Sequence, residues 1–214
     1  MTNSWTRAWL ATVGAIILAV VVTRTREVWL LNVERPVMAW LLDGTDTAIW
    51  DRAEILSDWR IIIPGTIFLA IVAFFLEKRV ALAIVATTIF SYALAELIGA
   101  TVGRVSPTGE LTGTFPNFTV VQSAVFFGLV VLMTWWVGAP KLVWHVVLEL
   151  AVVMTLLVAI RQVVSGDIWP SDAIGSALVA TLALITAAAV LEANPAKIPA
   201  RKPRRIKTAV KTAA

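Results

Sequence analysis

The residues best suited to chemistry lie in a short polar island, Arg161-Gln162-Val163-Val164-Ser165-Gly166-Asp167-Ile168-Trp169-Pro170-Ser171-Asp172, set between two long apolar runs. Charge at the mouth of a hydrophobic segment is costly unless it faces water, a partner or a ligand, so Arg161, Asp167 and Asp172 are functional candidates. A guanidinium suits bidentate recognition of phosphate or carboxylate, and a carboxylate such as Asp167 can serve as a nucleophile. Arg104 is a second cation, on a separate stretch rich in Gly, Pro, Ser and Thr. For Arg104 and Arg161 two readings stand side by side: binding of an anionic headgroup, or salt bridges to Asp172, Asp167 or Glu96 that stitch the loops together.

Three more ionisable residues, Glu96, His145 and Glu149, fall inside apolar runs. Glu96 is placed about 7 Å inside the end of its helix. It is either a functional intramembrane carboxylate or one neutralised by a nearby Arg. His145 and Glu149 are four apart and share one helix face, as a proton relay or as a hydrogen-bonded pair turned into the bundle.

The elements that must position these residues span a membrane. Hydrophobic residues make up 59% of the 214 and charged residues only 15%, with mean hydropathy +0.84, where soluble domains carry about a quarter charged residues. Cysteine is absent and histidine occurs once. That excludes disulfides, thiolate metal sites, cysteine nucleophiles and any two-histidine mechanism, and no metal or cofactor is implied.

Apolar runs predict six transmembrane helices over 8–23, 61–76, 80–101, 119–138, 142–160 and 173–191. Between the first two, Trp29, Leu30, Leu31, Val33, Val37, Met38, Trp40, Leu41 and Leu42 alternate with Glu34, Arg35 and Asp43. The pattern predicts an amphipathic interfacial helix with Pro36 near its start, or a helical lid packed on the bundle. Asp46, Asp51, Arg52, Glu54, Asp58 and Arg60 continue this polar segment, with Trp50 and Trp59 of the type that settles at headgroup depth. Residues 102–118 read as a loop. The expected organisation is one all-α membrane domain over 1–193, followed by a basic, disordered cytoplasmic tail over 194–214.

Six spans put both termini on one side. All six lysines fall there, with Arg7, Arg79, Arg201, Arg204 and Arg205, against seven arginines on the other side. The positive-inside rule makes the terminal side cytoplasmic. The net charge of +4 is thus accounted for by topology, and nucleic acid is not an expected partner.

Three stretches carry a resemblance. Trp169-Pro170-Ser171-Asp172-Ala173-Ile174-Gly175 follows Arg161; Phe115-Pro116-Asn117-Phe118-Thr119 opens the fourth span; Gly103-Arg104-Val105-Ser106-Pro107 closes the third. Together with the six spans they resemble the type 2 phosphatidic acid phosphatase family, six-helix membrane enzymes that hydrolyse lipid phosphates. The resemblance implies a lipid-phosphate site built from Arg161, Arg104 and Asp172 on the outer face. It also shows what is missing. Counting back from Asp172 puts Ile168 at the family's nucleophilic histidine, and counting forward from Arg161 puts Asp167 there. Thr119 stands at the acid-base histidine, Gly99 at the motif lysine and Ser106 at the motif arginine.

The family mechanism needs a histidine to attack phosphorus, a second to protonate the leaving group, and cations for the developing charge. His145 is about 24 Å from Arg161 along the fifth helix and supplies neither role. The resemblance therefore implies a degenerate member without hydrolytic machinery. It would bind a lipid phosphate, or act as an accessory subunit of a membrane partner in a lipid or cell-envelope pathway. Two other readings remain: a phosphatase with altered chemistry that uses Asp167, and a small transporter or flippase that uses Glu96 or the His145–Glu149 pair. Asn117-Phe118-Thr119 also matches a glycosylation sequon, which we read as fortuitous.

Overall fold

The computed structural model describes residues 3–44, 50, 52–109 and 113–193. Asp46, Asp51, Glu110 and the basic tail 194–214 lie outside them. The described chain forms α1 (Asn3–Thr25), α2 (Glu27–Gly44), a 3-10 turn (Arg52–Leu56), α3 (Trp59–Leu76), α4 (Lys78–Val102), α5 (Phe118–Trp136), α6 (Lys141–Val164) and α7 (Pro170–Ala193). Six of these helices, all but α2, are long and apolar enough to cross a membrane. Helix is the form that satisfies every backbone amide within one segment in lipid. The hydroxyls follow the same logic, since Thr12, Thr23, Thr66, Thr87 and Thr155 each donate to the carbonyl four residues earlier.

The core lies between α4, α5 and α7, where Ile84, Ala95, Ile98, Val121, Val125, Leu129, Val179 and Ala183 are buried together. Small residues on α7 allow the close approach. Ala180, Ala183, Ala187 and Ala188 are buried, in keeping with membrane interfaces that rely on van der Waals contact rather than on a hydrophobic drive. α1 packs on α7, with Trp9 Nε1 donating to Thr186 Oγ1 at 3.2 Å. α3 packs on α4 and α5, and α6 mainly on α5, so much of α6 stays exposed.

α2 departs from the sequence expectation in two ways. Pro36 lies inside the helix and not near its start. The helix continues through it, with Glu34 and Met38 on either side held in the interior. The burial also departs from the amphipathic pattern: Glu34 faces the protein beside Met38, while Trp29, Val33, Val37 and Trp40 are exposed. Met38, with Leu31 and Leu41 beside it, packs on Val120, Val158, Val163, Ile168 and Trp169.

The loop between α4 and α5 is short-range in structure but firmly held. Gly103 ends α4 in the left-handed region at φ 63°, a conformation that favours glycine. The carbonyl of Arg104 then accepts from Gly113 N at 2.7 Å and Thr114 N at 3.1 Å. At the far end Asn117 is the N-cap of α5, its Oδ1 accepting from Val120 N at 3.0 Å. Asn117→Ala is expected to cost about 1 kcal/mol and Asn117→Asp much less, as read by thermal unfolding in detergent. Equal melting of the two variants would remove the cap from the account.

Candidate functional site

The three residues expected to converge on one pocket divide into two sites. Arg104 and Asp172 form a sealed ionic cluster, and Arg161 heads an open groove.

The cluster follows from the turn after α4. Gly103 directs Arg104 inward, where its side chain is buried with those of Glu34 from α2 and Asp172 from the first turn of α7. The guanidinium pairs with Glu34 Oε2 and with Asp172 Oδ1, and donates to Ser171 Oγ at 2.6 Å. Its Cζ lies 5.4 Å from the centre of the Trp169 ring. Backbone donors finish the carboxylates: Ser171 N donates to Glu34 Oε1 at 2.8 Å and Trp169 N to Asp172 Oδ2 at 3.1 Å. Trp169 Nε1 donates to Val105 O at 2.9 Å. Two carboxylates thus share one guanidinium without contact with solvent. The salt-bridge alternative for Arg104 is the geometry found. Glu34 is the partner that sequence reasoning missed, because its place in an amphipathic run reads as a solvated face; the one available signal was that Arg104 needs anions.

Arg161 sits in the last turn of α6, its side chain 16% exposed. It pairs with Glu54 Oε2 at 3.1 Å and with Asp167 Oδ2 at 3.1 Å. Ser165 Oγ donates to the same Asp167 oxygen at 2.7 Å. Glu54, carried by the 3-10 turn, was read only as part of a polar segment. The turn that joins α6 to α7 puts Ile168 and Asp167 in opposite environments. Ile168 is fully buried against Met38 and Val120, whereas Asp167 faces Arg161.

Below Arg161 runs a groove of about 1360 Å³ between α3, α4 and the start of α5. Its walls are Ile63, Ile67, Ala70, Ile71 and Phe74 from α3, Leu82, Val85, Ile89 and Tyr92 from α4, and Phe118, Thr119 and Gln122 from α5. Glu54, Asp58, Arg60, Arg161 and Gln162 stand at one end and Lys78 at the other. The 18 residues of α3 make it about 27 Å long. Ile63, Ile67, Leu82 and Ile89 are exposed, so the groove opens sideways, toward the surface that transmembrane helices present to lipid. Thr119, which the resemblance sets against an acid-base histidine, lines it; Arg104, Asp167, Ile168 and Asp172 do not.

The remaining candidates lie apart from both sites. Glu96 is exposed on α4, and His145 and Glu149 are exposed on α6. Among the described residues none forms a hydrogen bond or ion pair with any of the three. His145 instead packs against the neighbouring Trp144 ring, at 4.8 Å between centroids. An Arg partner for Glu96, one of its two readings, and a hydrogen-bonded His145–Glu149 pair turned into the bundle, one of theirs, are both absent among the described residues, because these helix faces point outward.

No family model matches the chain, and no curated protein matches it. Among solved structures, a crystal structure of the first transmembrane PAP2 type phosphatidylglycerolphosphate phosphatase from Bacillus subtilis superposes with a TM-score of 0.76 at 15% sequence identity, over 87% of this chain and 96% of that one. The chain is therefore a multi-pass helical membrane protein with the fold of a PAP2-type phosphatase.

Proposed function

We propose that this protein is a non-catalytic, lipid-binding member of the PAP2-like fold, which holds a phospholipid in the groove between α3 and α4 with its phosphate toward Arg161. The observation that carries the reading is the groove itself. It is apolar along a length close to the hydrocarbon thickness of a bilayer, open to the side, and headed by a guanidinium.

Inactivity is supported by the residues around that head. Histidine-based phosphoryl transfer needs a nucleophile and an acid within reach of the phosphorus. Thr119 is the residue on the groove wall at one such position, and a threonine hydroxyl is no acid at neutral pH. At the other position Ile168 is buried in an apolar cluster, and Asp167 is held by Arg161 and Ser165 outside the groove lining. The structural neighbour is by its name a phosphatidylglycerolphosphate phosphatase, which supports lipids with a phosphate as the ligand class. We also assign both termini to the cytoplasm, supported by the placement of all six lysines; a lipid-bound or accessory role on the opposite face follows.

The test has two arms. Purified protein given phosphatidic acid or phosphatidylglycerolphosphate is expected to release phosphate no faster than buffer, while mass spectrometry of the gently purified protein finds retained phospholipid. Phosphate release that disappears in Asp167→Asn would overturn the proposal in favour of aspartyl chemistry.

A further inference from the structure

The charges at the Arg161 end of the groove are acidic on balance rather than basic. Glu54 and Asp58 face Arg60 and Arg161 along the lining, and Asp167 adds a further carboxylate behind Arg161. A dianionic phosphate monoester brought here would add to the excess of negative charge, since the Arg161 guanidinium is already shared by two carboxylates. A headgroup that carries one charge of each sign adds none.

The two carboxylates on Arg161 are not equivalent. Asp167 is tied by Ser165 and by the turn in which it sits, whereas Glu54 has a side chain 61% exposed and is bound by an ion pair of the weak, solvent-screened kind. Asp58 is committed as the N-cap of α3, accepting from Arg60 N at 2.8 Å. Glu54 is therefore the anion that can leave Arg161 and take another cation. Beside it Trp59 is 65% exposed, and Arg60 already lies 5.7 Å from its ring centre, so an aromatic face that accepts positive charge is present at the same mouth.

We propose that this end of the groove is a site for a zwitterionic phospholipid headgroup. Its phosphodiester displaces Glu54 from Arg161, and its ammonium takes the released Glu54 carboxylate with the Trp59 face. The exchange replaces one ion pair by two without leaving a charge unpartnered. It rests on the reading of the groove as a lipid site, and it makes Glu54 the residue that selects among lipids.

Native mass spectrometry of the delipidated full-length protein in detergent, with dioleoyl phosphatidylethanolamine, phosphatidylglycerol and phosphatidic acid added in competition, tests it. Phosphatidylethanolamine is expected to be preferred by about threefold to fivefold, the factor that one additional solvent-accessible ion pair of favourable geometry supplies. Glu54→Gln, a change at an exposed side chain that leaves the fold intact, is expected to erase that preference and to raise binding of the two anionic lipids. Wild-type protein that binds phosphatidylglycerol or phosphatidic acid as well as phosphatidylethanolamine overturns the proposal, as does an unchanged order in Glu54→Gln. Ala70→Trp, midway along the groove, separates the two levels. If it abolishes binding of all three lipids while the preference is missing, the headgroup assignment alone fails; if it changes nothing, the groove reading fails with it.

Discussion

Arg104→Met is expected to destabilise the protein by about 3–5 kcal/mol, the range for removal of one partner from a buried ionic cluster. The reason lies in what remains. Glu34 and Asp172 would stay buried side by side with no cation between them, each with a single backbone donor, Ser171 N and Trp169 N respectively. Against a total stability of about 5–15 kcal/mol that loss is decisive, and α2 should detach first, since Glu34 is its polar tie to the bundle. The cluster itself is not an ideal one. Arg104 Nε is the buried side-chain nitrogen or oxygen without a partner among the described residues, so replacing the charges altogether should be far milder than removing one. Arg104→Met combined with Glu34→Gln and Asp172→Asn is expected to regain much of the loss. Thermal unfolding in detergent, followed by the monodisperse fraction on size exclusion, reads both. Arg104→Met melting with the wild type, or the triple variant melting below it, would refute this account.

Gly175→Val is the second large effect, expected at about 3 kcal/mol as overpacking of a close helix–loop contact. A Cβ at Gly175 would lie 2.3 Å from Phe115 Cε2 and 2.6 Å from Cζ. Phe115 is 2% exposed, and its rigid ring cannot retreat without moving the loop. That loop is anchored immediately beyond it, where Asn117 N donates to Ser176 Oγ at 2.8 Å and that hydroxyl donates to Asp172 O at 2.6 Å. The strain should thus pass to the cap of α5 and to the first turn of α7. Replacing glycine by valine in a helix returns only about 0.3–0.5 kcal/mol through propensity, since valine is itself a modest helix former, and the clash outweighs it. Combining Gly175→Val with Phe115→Ala is expected to cost less than the sum of the two by at least about 1 kcal/mol. Strict additivity in that cycle would show that the two residues do not compete for one space.

How far the residues alone carry the fold follows from what the bilayer demands. The six spans, the separate amphipathic stretch and the loop at 102–118 were readable because each depends on local hydropathy, and because lipid leaves helix as the form that satisfies the backbone within one segment. The resemblance in the three short stretches, Gly103–Pro107, Phe115–Thr119 and Trp169–Gly175, pointed to the same fold that the structural neighbour has. Helix ends were less legible: α6 continues through Arg161 to Val164 and α7 begins at Pro170, so most of the polar island is helical.

The pairing of charges was beyond sequence reading. Glu34 and Ser171 are 137 positions apart, and nothing in the pattern around Glu34 says that it turns inward while Trp29 and Trp40 turn out. Ion pairs are set by which side chains the packed helices bring within reach, a non-local property that hydropathy does not encode. The same packing separated Arg104 from Arg161, two cations that the family resemblance joins in one site, and sent one into a sealed cluster and the other to the head of a groove. The polar island thus names the residues, and the arrangement of α2, α3 and the 3-10 turn around it assigns them their partners.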